Sequence, residues 1–284
     1  MEMILYYLTF YDTIYSGKKQ RSLLKMKIAV ITGASSGMGR EFVFQLDRQH
    51  DFDEIWVIAR RLERLEELKG KTRAKIRPIS FDLTKKESIE EYAKMLETEK
   101  PEVEVLVNAG GFGKFAATTD VPLETYYSMI ELNDMALVGM TYKSIPYMKK
   151  GSQIYEMGSL SAFQPVPYIN VYAASKAFVL SFSQGLSAEL APKGIDVMAV
   201  CPFWVKTEFF DHAVEDDSVI TYYSHYYTAE QVVSRALKDM KKHKKVSVCG
   251  AAARLQVFAV KHLSHNFVMK TWCRQQKKPY GRKK

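Results

Sequence analysis

The sequence predicts an α/β fold: one doubly wound parallel sheet of about seven strands, with helices on both faces. Three observations predict it. Short β-branched runs recur along the chain, longer segments of helical period separate them, and no repeat or linker breaks the series. In order, the strands are Lys27–Thr32, Glu54–Ala59, Lys75–Phe81, Val103–Val107, Gln153–Gly158, Ile195–Cys201 and Lys245–Cys249. Their nearly continuous apolar character suits strands covered on both faces. A first helix starts near Gly37, and later ones cover Leu62–Leu68, Lys86–Glu99, Leu123–Met148, Val171–Leu190 and Ala229–Met240. Thr228-Ala-Glu-Gln231 reads as a capping box for the last of these. The sequence therefore divides into an N-terminal extension (1–25), a single α/β domain (26–250) and a basic C-terminal helix and tail (251–284).

The extension has no clear period and is expected to be dispensable and poorly ordered. Its apolar stretch Met3–Tyr11 is too short to span a bilayer and lacks the basic flank of a signal peptide. Arg254–Trp272 is expected to be one packed helix followed by a frayed tail, with a membrane-surface helix as the alternative. The 284 residues are 47% hydrophobic and 26% charged, which excludes a disordered or fibrous chain. Three cysteines at wide spacing fit neither a disulfide framework nor a zinc site, and a cytoplasmic location is the natural expectation. Net charge is +9, yet residues 241–284 hold 13 Lys/Arg and no acid. No nucleic-acid motif accompanies that charge, so no nucleic-acid partner and no integral membrane association are expected. His262, His265 and Cys273 lack a completing carboxylate, and no metal site is expected.

Thr32-Gly33-Ala34-Ser35-Ser36-Gly37-Met38-Gly39 lies where the first strand turns into the first helix. Glycines permit a tight turn and close backbone approach, and the helix N-terminus favours a pyrophosphate. This is the dinucleotide cradle of a Rossmann unit, and without a Lys after the last Gly it is not a P-loop. The second strand ends in Ala59-Arg60-Arg61 rather than in an acid that would hold a ribose 2′-hydroxyl. Guanidiniums pair bidentately with a 2′-phosphate, so the cofactor reads as NADP(H).

Tyr172 and Lys176 place a phenol and an ammonium one helical turn apart, with Ser159 at the end of the fifth strand and Asn133 in the preceding helix. These motifs, with Asp82, Asn108 and Pro202…Thr207, occur in the order in which the chain resembles the short-chain dehydrogenase/reductase family, hydroxysteroid-dehydrogenase-like, over about residues 26–250. The resemblance implies a catalytic tetrad of Asn133, Ser159, Tyr172 and Lys176. Tyr172 would act as acid in ketone reduction and base in alcohol oxidation, while Ser159 would hold the substrate oxygen. Lys176 would bind the nicotinamide ribose and lower the phenol pKa, and Asn133 would hold a water. For the cofactor it implies Gly33, Ser35, Ser36, Gly37, Met38, Gly39, Arg60 and Arg61, with Asp82 and Leu83 at adenine, Asn108 on the adenosine side, and Val205 and Thr207 at the carboxamide. A homodimer or homotetramer is implied as well. A free phenol, with a pKa of about 10, is a poor base at neutral pH, so a nearby ammonium and an oxidised nicotinamide are expected to favour the phenolate.

The family pattern is altered in three places: Asn108-Ala-Gly-Gly111, Pro202-Phe203 in place of Pro-Gly, and Gly158-Ser159 in place of Ser-Ser, with Ser161 as a fallback. Loops at the strand ends supply Phe112, Phe115, Phe163, Val166, Tyr168, Phe203, Trp204, Phe209 and Phe210, then Tyr222–Tyr227. So aromatic a pocket favours a bulky, apolar ketone or alcohol, steroid-like or bile-acid-like. Alternatives are a 3-oxoacyl reductase and a non-catalytic NADPH sensor. Glu208–Tyr227 is long for a simple connection and is expected to be a lid.

Overall fold

A computed structural model of the chain describes residues 25–209, 213 and 226–281. Nearly all of the predicted extension and most of the predicted lid, with Phe210 and residues 222–225, lie outside these. Seven parallel strands form one sheet: β1 Lys27–Thr32, β2 Glu54–Ala59, β3 Lys75–Ser80, β4 Glu102–Asn108, β5 Gln153–Met157, β6 Asp196–Val200 and β9 Val246–Ser247, ordered β3-β2-β1-β4-β5-β6-β9. The order runs outward from β1 to β3 and then restarts at β4. Ligands in such sheets bind at that reversal, beyond the carboxyl ends of the strands.

Strand residues alternate between two cores, as a pleat requires. Ala29, Ile31, Ile55 and Val57 face α1 (Gly37–Asp47) and α7 (Ala229–Met240) through Phe42, Leu46 and Val233. Ile28, Val30, Trp56 and Ile58 face the opposite layer of Tyr92, Leu96, Met140 and Leu186. Both faces are dry, which is why the strand sequences lack polar alternation. Thr228 caps α7 as predicted, accepting from Gln231 N at 3.2 Å while Gln231 Oε1 accepts from Thr228 N at 3.0 Å.

Three local features differ from expectation. The long helix over Leu123–Met148 is broken by a π-helical segment, Glu131–Ala136, and ends in a 3-10 turn, Ile145–Tyr147. A small parallel pair, β7 Trp204–Val205 with β8 Tyr226–Tyr227, lies outside the main sheet. The C-terminal segment is two helices, α8 Ala251–His262 and α9 His265–Gln275, because Ser264 accepts from Phe267 N and starts a new helix. Beyond α9, Tyr280 bonds Asn266, and Lys278 lies over the Tyr168 ring at 5.5 Å, while residues 282–284 lie outside the described residues.

Candidate active site

At the end of β1 the chain turns through Gly33, at φ +66°, and enters α1 at Gly37, at φ +54°. A Cβ on Gly33 would lie 2.6 Å from Ala109 O, and one on Gly39 would lie 2.4 Å from Gly33 O. Only hydrogen fits at either place. Thr32 Oγ1 accepts from Gly110 N at 3.0 Å, tying this turn to the exit of β4. Ser35, Ser36, Gly37, Met38 and Gly39 thus wrap a helix N-terminus whose orphan N–H groups and dipole suit an anion. Arg61 reaches back from the end of β2 to Ser35 Oγ (3.2 Å) and Glu208 (2.8 Å), and its hydrogen bond holds the Glu208 carboxyl below the usual range. Arg60, next along the chain, is exposed, and its charge helps hold Asp82 low. This glycine cradle, with a hydroxyl and the Arg61 guanidinium at its edge, fits the pyrophosphate of a dinucleotide.

The remaining cofactor candidates divide. Asp82 Oδ1 accepts from both the N–H and the hydroxyl of Thr84, which outweighs partial burial and holds its carboxyl low. The Leu83 side chain is buried in the core, so its backbone is what remains for adenine. Asn108 is corrected: its amide nitrogen donates inward to Thr141 Oγ1 (2.8 Å) and Glu156 Oε2 (3.0 Å), so the side chain braces β4 against β5 instead of facing the cofactor side. Thr207 abuts the cradle, since a Cβ on Gly37 would touch Thr207 Cγ2 at 3.3 Å, and Val205 is a buried residue lining the adjoining cleft.

Beyond β5, Ser159 caps the 3-10 turn Leu160–Phe163, its Oγ accepting from Ser161 N (3.2 Å) and Ser161 Oγ (3.0 Å). The Tyr172 hydroxyl lies close enough for the Ser159 side chain to favour its ionised form, and both residues line one cleft. Ser159 is therefore the serine that meets the tyrosine, with Ser161 behind it. Tyr172 and Lys176 start α6 (Asn170–Leu190) on one buried face. Lys176 Nζ donates to Met157 O at 2.9 Å and lies 5.7 Å from the Tyr172 ring centroid. Asn133 sits in the π-helical segment, wider-wound backbone that often marks functional sites. Its side chain accepts from Phe112 N (3.0 Å) and donates to Phe112 O (2.9 Å) and Ser175 Oγ (3.1 Å). Both amide donors are engaged, so the side chain clamps the loop after β4.

Burial pushes the Tyr172 hydroxyl up to about 12, and Ser159 only partly opposes this. The ring is enclosed by Phe115 and Phe209, at 6.0 and 5.6 Å between centroids, and the Lys176 ammonium donates to a carbonyl, so the chain's own residues do not lower the phenol; the oxidised nicotinamide is the other half of that expectation. Burial likewise pushes Lys176 down to about 8, against the pull of Asp134 and Glu156. Those two acids were not anticipated. Glu156 is fully buried, bonded to Thr141 and Asn108, and pushed up to about 7 by desolvation. Asp134, also raised to about 7 by burial, keeps one oxygen without a hydrogen-bond partner among the described residues. A lone Glu inside the run Ile154–Met157 was the available signal.

Above this floor opens a cleft with about 920 Å3 of empty space, its mouth included. Phe115, Val166, Phe203, Trp204 and Phe209 line it as anticipated. Phe163 and Tyr168 lie instead beneath Lys261 and Lys278. The sequence did not reveal Gln164, Gln256 and Trp272 as lining residues. Trp272 is seated by its indole N–H on Pro167 O at 3.0 Å, and Gln164 Oε1 is buried without a partner among the described residues.

Comparison with known proteins places these features in context. The family model for short chain dehydrogenases matches residues 27–218. A 17-beta-hydroxysteroid dehydrogenase type 3 of Danio rerio is 34% identical over 228 residues, 76% of this chain and 70% of its own. An uncharacterised oxidoreductase of Staphylococcus epidermidis is 31% identical over 186 residues, covering 65% and 80%. A solved short-chain dehydrogenase from Sphingobium yanoikuyae in complex with NADPH superimposes with a TM-score of 0.72 at 26% identity, over 82% of this chain and 92% of that one.

Proposed function

The chain belongs to the short-chain dehydrogenase family, and on that premise we propose that it is an NADP-dependent oxidoreductase interconverting a ketone and a secondary alcohol on a bulky, largely apolar substrate of hydroxysteroid or bile-acid type. The observation that carries this reading is the Tyr172 hydroxyl, set beside Ser159 at the base of a cleft walled by aromatic rings. When bound, the dinucleotide supplies the hydride. The rest falls to this chain's residues. Ser159 and Tyr172 hydroxyls hold the carbonyl oxygen, and Tyr172, kept protonated by burial, donates its proton there as the alcohol forms. Lys176 favours the phenolate left behind, and Asn133 keeps the loop after β4 closed against the site.

Preference for NADP(H) rests on Arg60 and Arg61, since β2 itself ends in no carboxylate to hold a 2′-hydroxyl and the neighbouring Glu208 is paired with Arg61. The NADPH in the Sphingobium relative accords with it. Substrate bulk rests on the rings and on Gln164, whose unpaired oxygen offers a bond to a hydroxyl remote from the ketone. The direct test is loss of reduced-dinucleotide absorbance with NADPH and with NADH across keto-steroids, keto bile acids and 3-oxoacyl thioesters. Turnover of a steroid or bile-acid ketone with NADPH preferred is expected. Preference for NADH would overturn the reading of the arginines, and turnover of the thioesters alone would overturn the substrate class.

A further inference from the structure

The two C-terminal helices each bury a narrow stripe: Ala253, Val257 and Val260 on α8, Val268 and Cys273 on α9. A surface helix normally turns polar residues to water on its opposite side. On α8 the opposite side is apolar. Leu255, Phe258 and His262 follow one another there at i, i+3 and i+7, with Leu255 69% and Phe258 62% exposed. Leu263 in the joint, 44% exposed, and Phe267 on α9, 54% exposed, continue the series.

Cations accompany these residues. Arg254 and Lys261 flank one side of the α8 stripe, and Lys270 and Arg274 follow Phe267 at i+3 and i+7 on the outer side of α9; all four are exposed. No acid occurs from residue 241 to the end of the chain. Another exposed apolar helix surface differs: Leu123, Tyr127 and Ile130 share their segment with Glu124 and Glu131, which an anionic surface would repel. Exposed Leu and Phe combined with Lys and Arg, and free of acids, is the composition of a helix lying in the interface of a negatively charged bilayer. No described helix is long and apolar enough to cross one.

We propose that the outer surface of α8 and α9 seats the protein on an anionic lipid bilayer. Gln256 and Trp272, from the same two helices, line the cleft, so the cleft opens beside the seat. An apolar substrate then passes from lipid to Tyr172 without crossing water; this last step rests on the proposed substrate class, whereas the seat does not.

The test is flotation of the full chain with vesicles of phosphatidylcholine alone or mixed with phosphatidylglycerol, at low and high salt. Binding to the anionic vesicles is expected, weakening as salt rises. Leu255→Ser/Phe258→Ser/Phe267→Ser should weaken it by about tenfold or more, with the melting temperature and solution activity unchanged. Lys270→Ser/Arg274→Ser should weaken binding and flatten its salt dependence. Absence of wild-type binding, or undiminished binding by the triple variant, would overturn the proposal. So would a wild-type oligomer that the triple variant dissolves, since a second copy would then cover this face. Flotation is blind to turnover, so failure of the ketone panel leaves the seat standing, and the reverse holds as well.

Discussion

The floor of the cleft and its mouth are held by different forces. On the floor, Asn133 and Lys176 are fixed by hydrogen bonds to backbone and Ser159 by bonds from Ser161, with Tyr172 beside it, and behind them Asn108, Thr141 and Glu156 form a buried polar network. At the mouth, Phe115, Trp204 and Phe209 meet through ring contacts of about 6 Å, and Trp272 arrives from more than a hundred residues away on one indole hydrogen bond. Directional bonds fix atoms to within tenths of an ångström, as proton transfer needs. Ring packing is tolerant of shape and excludes water. The floor therefore determines which reaction occurs, and the mouth determines which molecule undergoes it.

Substitutions on either side of this division should separate it. The largest effect is expected from Tyr172→Phe, with kcat down about a hundred- to ten-thousandfold and dinucleotide binding retained in a fluorescence titration. Arg60→Ala/Arg61→Ala should reduce the kcat/KM preference for NADPH over NADH by about ten- to a hundredfold, leaving the NADH rate nearly unchanged. Trp272→Ala should raise KM for a bulky ketone by about tenfold while kcat stays close to wild type. Equal loss of kcat would show that the mouth also orders the floor.

A smaller effect concerns the acids behind Lys176. Glu156 and Asp134 have folded pKa values of about 7, above the ordinary 4.5 and 3.8. Their preference for the neutral form is fully present below those ordinary values and is lost as pH rises through about 7, so stability should decline across that window. Glu156→Gln and Asp134→Asn should flatten the fall in melting temperature between about pH 5 and 8. The smallest effect lies far from the cleft: Thr228→Ala removes the cap of α7 and should cost about 1 kcal/mol in denaturant unfolding with turnover unaltered.

The sheet was legible because burial on both faces leaves the strands continuously apolar, and the glycine cradle because tight turns demand specific residues. The tetrad residues were legible by motif, though the work of Asn133 and Asn108 was not, since a sequence does not show which way an amide points. The π segment Glu131–Ala136 escaped because an added backbone residue barely alters a helical period. Ser264 was a readable stop between α8 and α9, obscured by apolar spacing that continues through Leu263 to Phe267. Trp272 and Gln164 enter the site only through tertiary packing, which no local pattern encodes.

The most direct measurement is single-turnover oxidation of enzyme-bound NADPH by saturating bulky ketone, made in Tyr172→Phe and Trp272→Ala alongside wild type. The division of labour predicts that Tyr172→Phe binds both ligands and stalls, whereas Trp272→Ala reaches the wild-type rate at a higher ketone concentration. A Tyr172→Phe protein that keeps its rate, or a Trp272→Ala protein that stalls at saturation, would contradict it.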